Sequence, residues 1–419
     1  MSRLIIKGGR KLEGSIAVDG AKNSALPIVA AAALAAEGES VIDNVPHSRD
    51  ILDLCQIMRE LGVQLDFADN TTVRVKAQGF SEHVAPYRMA RKLRGSIYVV
   101  GLLLARLGRA EVAFPGGCAI GSRPVDFHLK GFEALGARMA VEHGCIVGEA
   151  GRLKGARIYI ERASFGTTLN MMISACLAEG TTVLENAALE PEVVDLANFL
   201  NRMGARVRGA GTNLIRVDGV ERLTGTRHEV IPDRLQAGTY LLAGAITGGA
   251  VRVESVIPEH LHAVMAKLAQ AGCVVEEEAD HVTIFAPRRP RPTDVETQPH
   301  PGFPTDLQSP FTALLCLAEG VSVVHETIFE NRFGYANELT RMGANVKVDR
   351  DTAIIRGVPL LTGAPVEATD IRGGIALVLA GLRAEGETEV NGLEIIDRGY
   401  HLIEEKLGFL GANIKRIED

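Results

Sequence analysis

Among the residues whose setting could support chemistry, Cys118 stands first. It lies in Phe114-Pro-Gly-Gly-Cys-Ala-Ile-Gly-Ser-Arg, a glycine-rich stretch without periodicity, with a cation five residues on at Arg123. An exposed thiol beside positive charge has its pKa lowered from about 8.5 toward working pH, which fits it to act as a general acid or as a nucleophile. The other five cysteines have a different setting: Cys55, Cys176 and Cys316 fall in helical apolar runs, Cys145 and Cys273 in strand-like ones. Those five read as inert core packing. No CxxC pair occurs, which argues against a structural zinc site, and scattered cysteines fit a reducing cytoplasm rather than a disulfide scaffold.

A second set of polar residues recurs at the predicted starts of apolar helices: Lys22/Asn23, Arg94, Ser164/Gly166, Asp233/Arg234, Thr305/Asp306 and Asp370/Arg372. A helix N-terminus offers unpaired N–H groups and a partial positive charge, so it suits phosphate and carboxylate. Arg49, Arg123, Arg332 and Arg398 are expected at the starts of neighbouring amphipathic helices. The sum is a set of cations suited to a substrate carrying several phosphates or carboxylates. Taken singly, each of these residues also reads as an ordinary cap or surface group, and Asp306 reads as a cap as readily as a base. The Pro-rich stretch from Arg288 to Pro304 is expected to cross the surface in extended form and deliver Asp306 to its helix start.

The elements that must position these groups form an internal repeat. A helix-like segment ending in glycine and followed by a strand-like run occurs six times, with the glycines at 62, 136, 204, 272, 343 and 411. A period of roughly 70 residues marks a repeated supersecondary unit. Each unit also carries a helix that is apolar nearly all round, such as Gln236-Ala-Gly-Thr-Tyr-Leu-Leu-Ala, and such helices belong inside a domain. The stretch Leu4 to Asp19 resembles the closing strands of a unit, and the last unit stops without them. Residues 22–230 are therefore expected to form one three-unit domain carrying the Cys118 loop. Residues 1–21 with 231–419 are expected to form the second, with ligand bound in a cleft between the two.

Composition narrows the function further. Across 419 residues, 46% hydrophobic and 23% charged, the chain reads as a soluble globular protein too long for one core. The net charge of −7 provides no broad attraction to nucleic acid or anionic lipid. Trp is absent and aromatics are 5%, which disfavours a base-stacking surface. The longest uncharged apolar run, Ala25 to Ala36, is far short of a membrane span, and the N-terminus has no export signature, so a cytoplasmic location is expected.

Several motifs resemble a known family. Gly20-Ala-Lys-Asn-Ser-Ala-Leu-Pro, Pro115-Gly-Gly-Cys-Ala-Ile-Gly-Ser-Arg-Pro-Val-Asp, Glu190-Pro-Glu-Val-Val-Asp, Gly302-Phe-Pro-Thr-Asp and Phe329-Glu-Asn-Arg-Phe are similar to those of the UDP-N-acetylglucosamine 1-carboxyvinyltransferases, the enolpyruvyl transferases that open peptidoglycan synthesis. The resemblance runs essentially end to end. It implies an α/β fold of two inside-out α/β barrels, each of three repeated units, and phosphoenolpyruvate and UDP-N-acetylglucosamine as substrates. Neither metal nor redox cofactor nor obligate protein partner is implied.

Residue by residue, the resemblance makes Cys118 the acid that protonates the methylene carbon of phosphoenolpyruvate, and the target of fosfomycin. Asp306 matches the carboxylate that takes the proton from the sugar 3′-hydroxyl. Lys22, Arg123 and Arg398 match the cations around phosphoenolpyruvate, and Asn23 the residue where the two substrates meet. Arg94, the run Arg123, Pro124, Val125, Asp126 and Phe127, the run Arg162, Ala163, Ser164, Phe165 and Gly166, and Ile328 match the nucleotide-sugar contacts. Arg332 joins the binding set, and Asp370 and Arg372 match an Asp-x-Arg at a later helix start. Gly116, Gly117 and Gly121 are the expected hinges of a closing loop. The adjacent glycines Gly373 and Gly374 are expected to loosen the helix start that carries Arg372. The nearest alternative, the shikimate-pathway enolpyruvyl transferase, shares fold and donor but lacks this kind of cysteine loop. A repeat protein that binds nucleotide sugar without catalysis is the other reading, and intact Cys118, Asp306 and Arg398 speak against it.

Overall fold

The structure is a computed structural model that describes residues 2–116 and 125–418. They divide into two compact units: a middle unit, within residues 20–231, and a terminal unit, formed by residues 2–19 and 232–418.

In the middle unit, three helices apolar on nearly every face, Lys22–Ala32, Ile97–Leu107 and Phe165–Ala175, pack on one another. Burial is nearly complete, as a helix without a polar face requires; only Asn23 of Lys22–Ala32 is not fully buried. Short mixed sheets pack around them. Ser40–Asp43 pairs in parallel with Arg227–Glu229 and antiparallel with Val73–Lys76, which pairs in turn with Gln64–Phe67. Arg157–Tyr159, Thr181–Glu185, Leu214–Asp218 and Arg206–Arg208 repeat that order.

The terminal unit repeats the plan with Arg234–Thr247, Gln308–Leu315 and Ile371–Arg383 inside. Every residue from Leu235 to Thr247 is buried. In one of its sheets the third strand is Arg3–Lys7, which runs antiparallel between Glu387–Asn391 and Asn413–Ile417. The first and last strands of the chain are thus neighbours in one sheet. Glu13–Ala17 pairs in parallel with Ala250–Glu254.

The six repeat glycines all have positive φ, from 87° at Gly343 to 103° at Gly204. Each follows the last turn of an outer helix. After Arg49–Glu60, for example, Gly62 N–H bonds the Arg59 carbonyl and Val63 N–H bonds the Met58 carbonyl. This crossed pair is the Schellman closure, which places its left-handed residue where only glycine sits without strain. The same two bonds recur at Gly136, Gly204, Gly272, Gly343 and Gly411. The repeat is therefore a repeat of helix endings, each turning the chain into the next strand.

Two local expectations need correction. The Arg288 to Pro304 stretch is not simply a surface crossing: Thr293, Val295, Thr297 and Phe303 are buried, and Val295–Glu296 joins a sheet. The glycines at 373 and 374 do not loosen their helix. Asp370 caps it by accepting from the N–H groups of Arg372 at 3.0 Å and Gly373 at 3.1 Å. A Cβ at Gly374 would lie 2.7 Å from Ile396 Cγ1, so glycine there permits close packing.

Candidate functional site

In the middle unit, Lys22 is the first residue of its helix, and no side chain caps that end. Its Nζ lies 3.2 Å from Asp50 Oδ2, and both groups are buried. The helix start is pinned from behind. Asp195, on the outer helix Pro191–Arg202, accepts from the hydroxyl of Ser24, from Ile231 N–H at 3.2 Å and from the ring of His228 at 2.8 Å. Ile231 C=O in turn accepts from Ala21 N–H at 2.7 Å. The helix start that carries Lys22 and Asn23 is thus held, through Ser24, by a buried carboxylate 171 residues further along the chain.

The second and third helix starts approach one another. Arg94 opens a short 3-10 turn, Arg94–Ser96, leading into Ile97–Leu107, and Leu26 packs against Gly95 beside it. Ser164 caps Phe165–Ala175 by accepting from Thr167 N–H. Between these ends lies a group the sequence reading missed, His128. Its Nδ1 is 3.1 Å from Asn170 Nδ2, its Nε2 faces Gly166, and its pKa falls from the usual 6.5 to about 3. Burial is the larger cause and the Arg94 charge the second. A lone histidine two residues after Asp126 was the available signal. Val125 is buried, Phe127 half-buried under the Lys130 ammonium 6.0 Å from its ring, and Asp126, Arg162 and Ala163 are exposed. Cys118, Arg123, Pro124, Gly117 and Gly121 lie outside the described residues.

In the terminal unit the arrangement is tighter. Asp306 sits in the turn Thr305–Leu307, where Oδ1 accepts from Arg332 Nη2 at 2.9 Å. Oδ2 accepts from Arg372 Nε at 3.2 Å and Nη2 at 3.1 Å. Both guanidiniums are buried while the Asp306 side chain keeps 26% of its surface. A carboxylate so held is fixed in direction by charge-assisted bonds and still partly open at its surface. Arg372 Nη1 donates to Tyr400 Oη at 2.6 Å, and Tyr400 bonds Thr239 Oγ1 at 2.8 Å. Desolvation works against the Arg372 charge, but the net shift is upward, with the Tyr400 oxygen and the Asp306 and Asp233 carboxylates favouring the cation. Asp233 caps Arg234–Thr247, so the three inner-helix starts of this unit meet around one cation.

Two arginines are not at helix starts as expected. Arg332 lies in the turn before Ala336–Arg341, stretched over the Phe329 ring at 5.6 Å toward Asp306. Arg398 lies in a turn between Leu393–Ile396 and Ile403–Phe409, half-buried, where a positive φ at Leu402 breaks the helix in two. The neighbouring Asp397 is gripped at 2.8 and 2.9 Å by Arg416, which also binds Glu404. Ile328 is half-buried, its N–H bonded to Glu326 Oε1 at 2.8 Å.

Comparison with known proteins shows the family to which the chain belongs. The family model described as EPSP synthase (3-phosphoshikimate 1-carboxyvinyltransferase) matches residues 6–407. The UDP-N-acetylglucosamine 1-carboxyvinyltransferase 2 of Symbiobacterium thermophilum is 63% identical over 416 residues, 99% of this chain and 98% of that protein. Among solved structures, the enolpyruvyl transferase NikO from Streptomyces tendae superposes with a TM-score of 0.89 at 26% identity, covering 99% of this chain and 98% of that one. EPSP synthase from Acinetobacter baumannii shares the fold, with a TM-score of 0.76 at 23% identity over all of both chains. On identity that spans almost its full length, the chain belongs to the UDP-N-acetylglucosamine 1-carboxyvinyltransferases, within the EPSP synthase family.

Proposed function

We propose that this protein transfers the enolpyruvyl group of phosphoenolpyruvate to the 3′-hydroxyl of UDP-N-acetylglucosamine and releases inorganic phosphate, the first committed step of peptidoglycan synthesis. The observation that carries the reading is 63% identity to a UDP-N-acetylglucosamine 1-carboxyvinyltransferase over 99% of the chain. The doubly clamped carboxylate of Asp306 supports it, since the reaction needs a base fixed beside a hydroxyl.

In this reading Cys118 gives a proton to C3 of phosphoenolpyruvate, and the cationic centre at C2 is attacked by the sugar oxygen as Asp306 takes its proton. The tetrahedral ketal then loses a C3 proton and phosphate, restoring the double bond as an enol ether. One acid and one base each contribute about 10²–10⁴-fold. Lys22, Arg123 and Arg398 stabilise charge moving onto the departing phosphate. Asn23 sits where the substrates meet. Arg94, Arg123 to Phe127, Arg162 to Gly166 and Ile328 hold the nucleotide sugar, and Arg332, Asp370 and Arg372 complete the substrate-binding set. The proposed architecture is two inside-out barrels of three units each, residues 22–230 and residues 1–21 with 231–419. The proposed location is the cytoplasm; no helix among the described residues is long and apolar enough to cross a membrane.

Phosphate release from phosphoenolpyruvate, measured with either UDP-N-acetylglucosamine or 3-phosphoshikimate as acceptor, tests the reading. Release with the nucleotide sugar alone is expected. Release only with 3-phosphoshikimate would overturn it.

A further inference from the structure

Glu326 is a buried acid that the proposed reaction does not use. It follows the strand Val321–His325 and is 2% exposed. A carboxylate so far from water is tolerated only when its lone pairs are satisfied, and here four donors reach it. Oε1 accepts from Thr297 Oγ1 at 3.0 Å, Ile328 N–H at 2.8 Å and Phe329 N–H at 3.2 Å. Oε2 accepts from Thr305 Oγ1 at 2.9 Å.

The donors come from three separate segments. Thr297 belongs to the strand-like crossing and also accepts from Thr327 N–H at 2.8 Å. Ile328 and Phe329 open the loop that ends at Arg332, and Phe329 lies beneath the Arg332 guanidinium. Thr305 immediately precedes Asp306. The Glu326 main chain is itself fixed, its N–H bonding the Asp351 carbonyl at 2.8 Å. One anchored carboxylate therefore joins the turn that carries Asp306 to the loop that carries Ile328 and Arg332.

We propose that Glu326 is a positioning residue: through Thr305 it sets the pose of Asp306, and through Ile328 and Phe329 it sets the loop that meets the nucleotide sugar. This rests on the reading of Asp306 as the base. The bond from Thr305 restrains the turn at the residue before Asp306, while the two arginines hold the Asp306 carboxylate itself. Small misplacements of a reacting group are costly in rate, so loss of this restraint lowers kcat.

Thr305→Val keeps shape and cuts the arm to Asp306; because it also takes a donor from the buried Glu326 Oε2, an unchanged melting midpoint is the control that the variant is folded. Its kcat is expected to fall by about 10-fold, with the KM for UDP-N-acetylglucosamine nearly unchanged. Thr305→Ser keeps the hydroxyl and should restore wild-type kcat. Adding Glu326→Gln to Thr305→Val should lower kcat no further, since that arm is already cut. Wild-type kcat in Thr305→Val, or an undiminished second loss in the double variant, overturns the inference. Asp306→Asn, run alongside, separates the causes. If it too turns over normally, the reading of Asp306 has failed; if it is disabled while Thr305→Val is not, only the role of Glu326 has.

Discussion

Arg372 and Tyr400 form a buried pair: the guanidinium donates to the phenol oxygen at 2.6 Å and also lies 5.2 Å from the ring centre. The same guanidinium grips Asp306 with two other N–H groups. The phenol hydroxyl therefore fixes the cation that fixes the carboxylate, and Thr239 fixes the phenol.

Tyr400→Phe keeps the ring and removes the acceptor, leaving a charged N–H buried without its partner. A bond to a charged group contributes about 1.5–3 kcal/mol. The melting midpoint should drop by several degrees, and kcat should fall more than the KM for either substrate rises. Calorimetry and steady-state kinetics on one preparation check both. Unchanged kcat with a lowered midpoint would show that the phenol stabilises the fold without orienting Asp306.

Gly204→Ala tests the repeated helix ending. Gly204 has φ of 103° and a Cβ there would meet nothing within 4 Å, so the only cost is backbone strain. That strain is about 1–2 kcal/mol, or roughly 2–8 °C in midpoint for a unit of this size. Catalysis should be unaffected. A variant as stable as the parent would mean that the turn relaxes without the left-handed residue.

These glycines, and the inner helices between them, were legible in the sequence because their causes are local. A Schellman closure needs its glycine one step beyond the helix, and a helix buried on all sides must be apolar on all sides. The helix-start polar residues were legible for the same reason: Asp233, Ser164 and Asp370 each cap their own helix. What escaped depends on contacts far apart in the chain. Tyr400 meets Thr239 across 161 residues and Asp195 meets His228 across 33, and no spacing rule announces such pairs. Nothing in the sequence marks Glu326, since its donors lie 2, 3, 21 and 29 residues away. Arg332 and Arg398 were expected at helix starts and lie instead in turns, because a turn has no periodicity to read.

His128 ties stability to pH. Its folded pKa of about 3 lies below the ordinary 6.5, so the unfolded chain takes up a proton that the folded chain refuses. The contribution is whole above about pH 6.5 and is lost as pH falls toward 3, at up to about 1.4 kcal/mol per unit. His128→Asn removes this term. Urea midpoints measured from pH 7 to 5 should fall more steeply for the parent than for the variant. Parallel slopes would mean that protonation opens no penalty at this site.

The cysteines offer a direct chemical map. Burial raises the thiols of Cys55, Cys176, Cys273 and Cys316 to about 12, well above the usual 9.0. Cys145 is also raised, first by burial and then by Glu111. At pH 8 a thiol of pKa 12 is ionised in only about one molecule in ten thousand, and the thiolate is the reactive form. Native protein treated with iodoacetamide should therefore carry label on the peptide holding Cys118 and none on those of the four raised thiols. Pretreatment with fosfomycin should block that label, and Cys118→Ser should abolish it together with phosphate release while nucleotide-sugar binding persists. Label on Cys176 or Cys316 in the folded protein, with residue 118 untouched, would remove the thiol from the proposed chemistry.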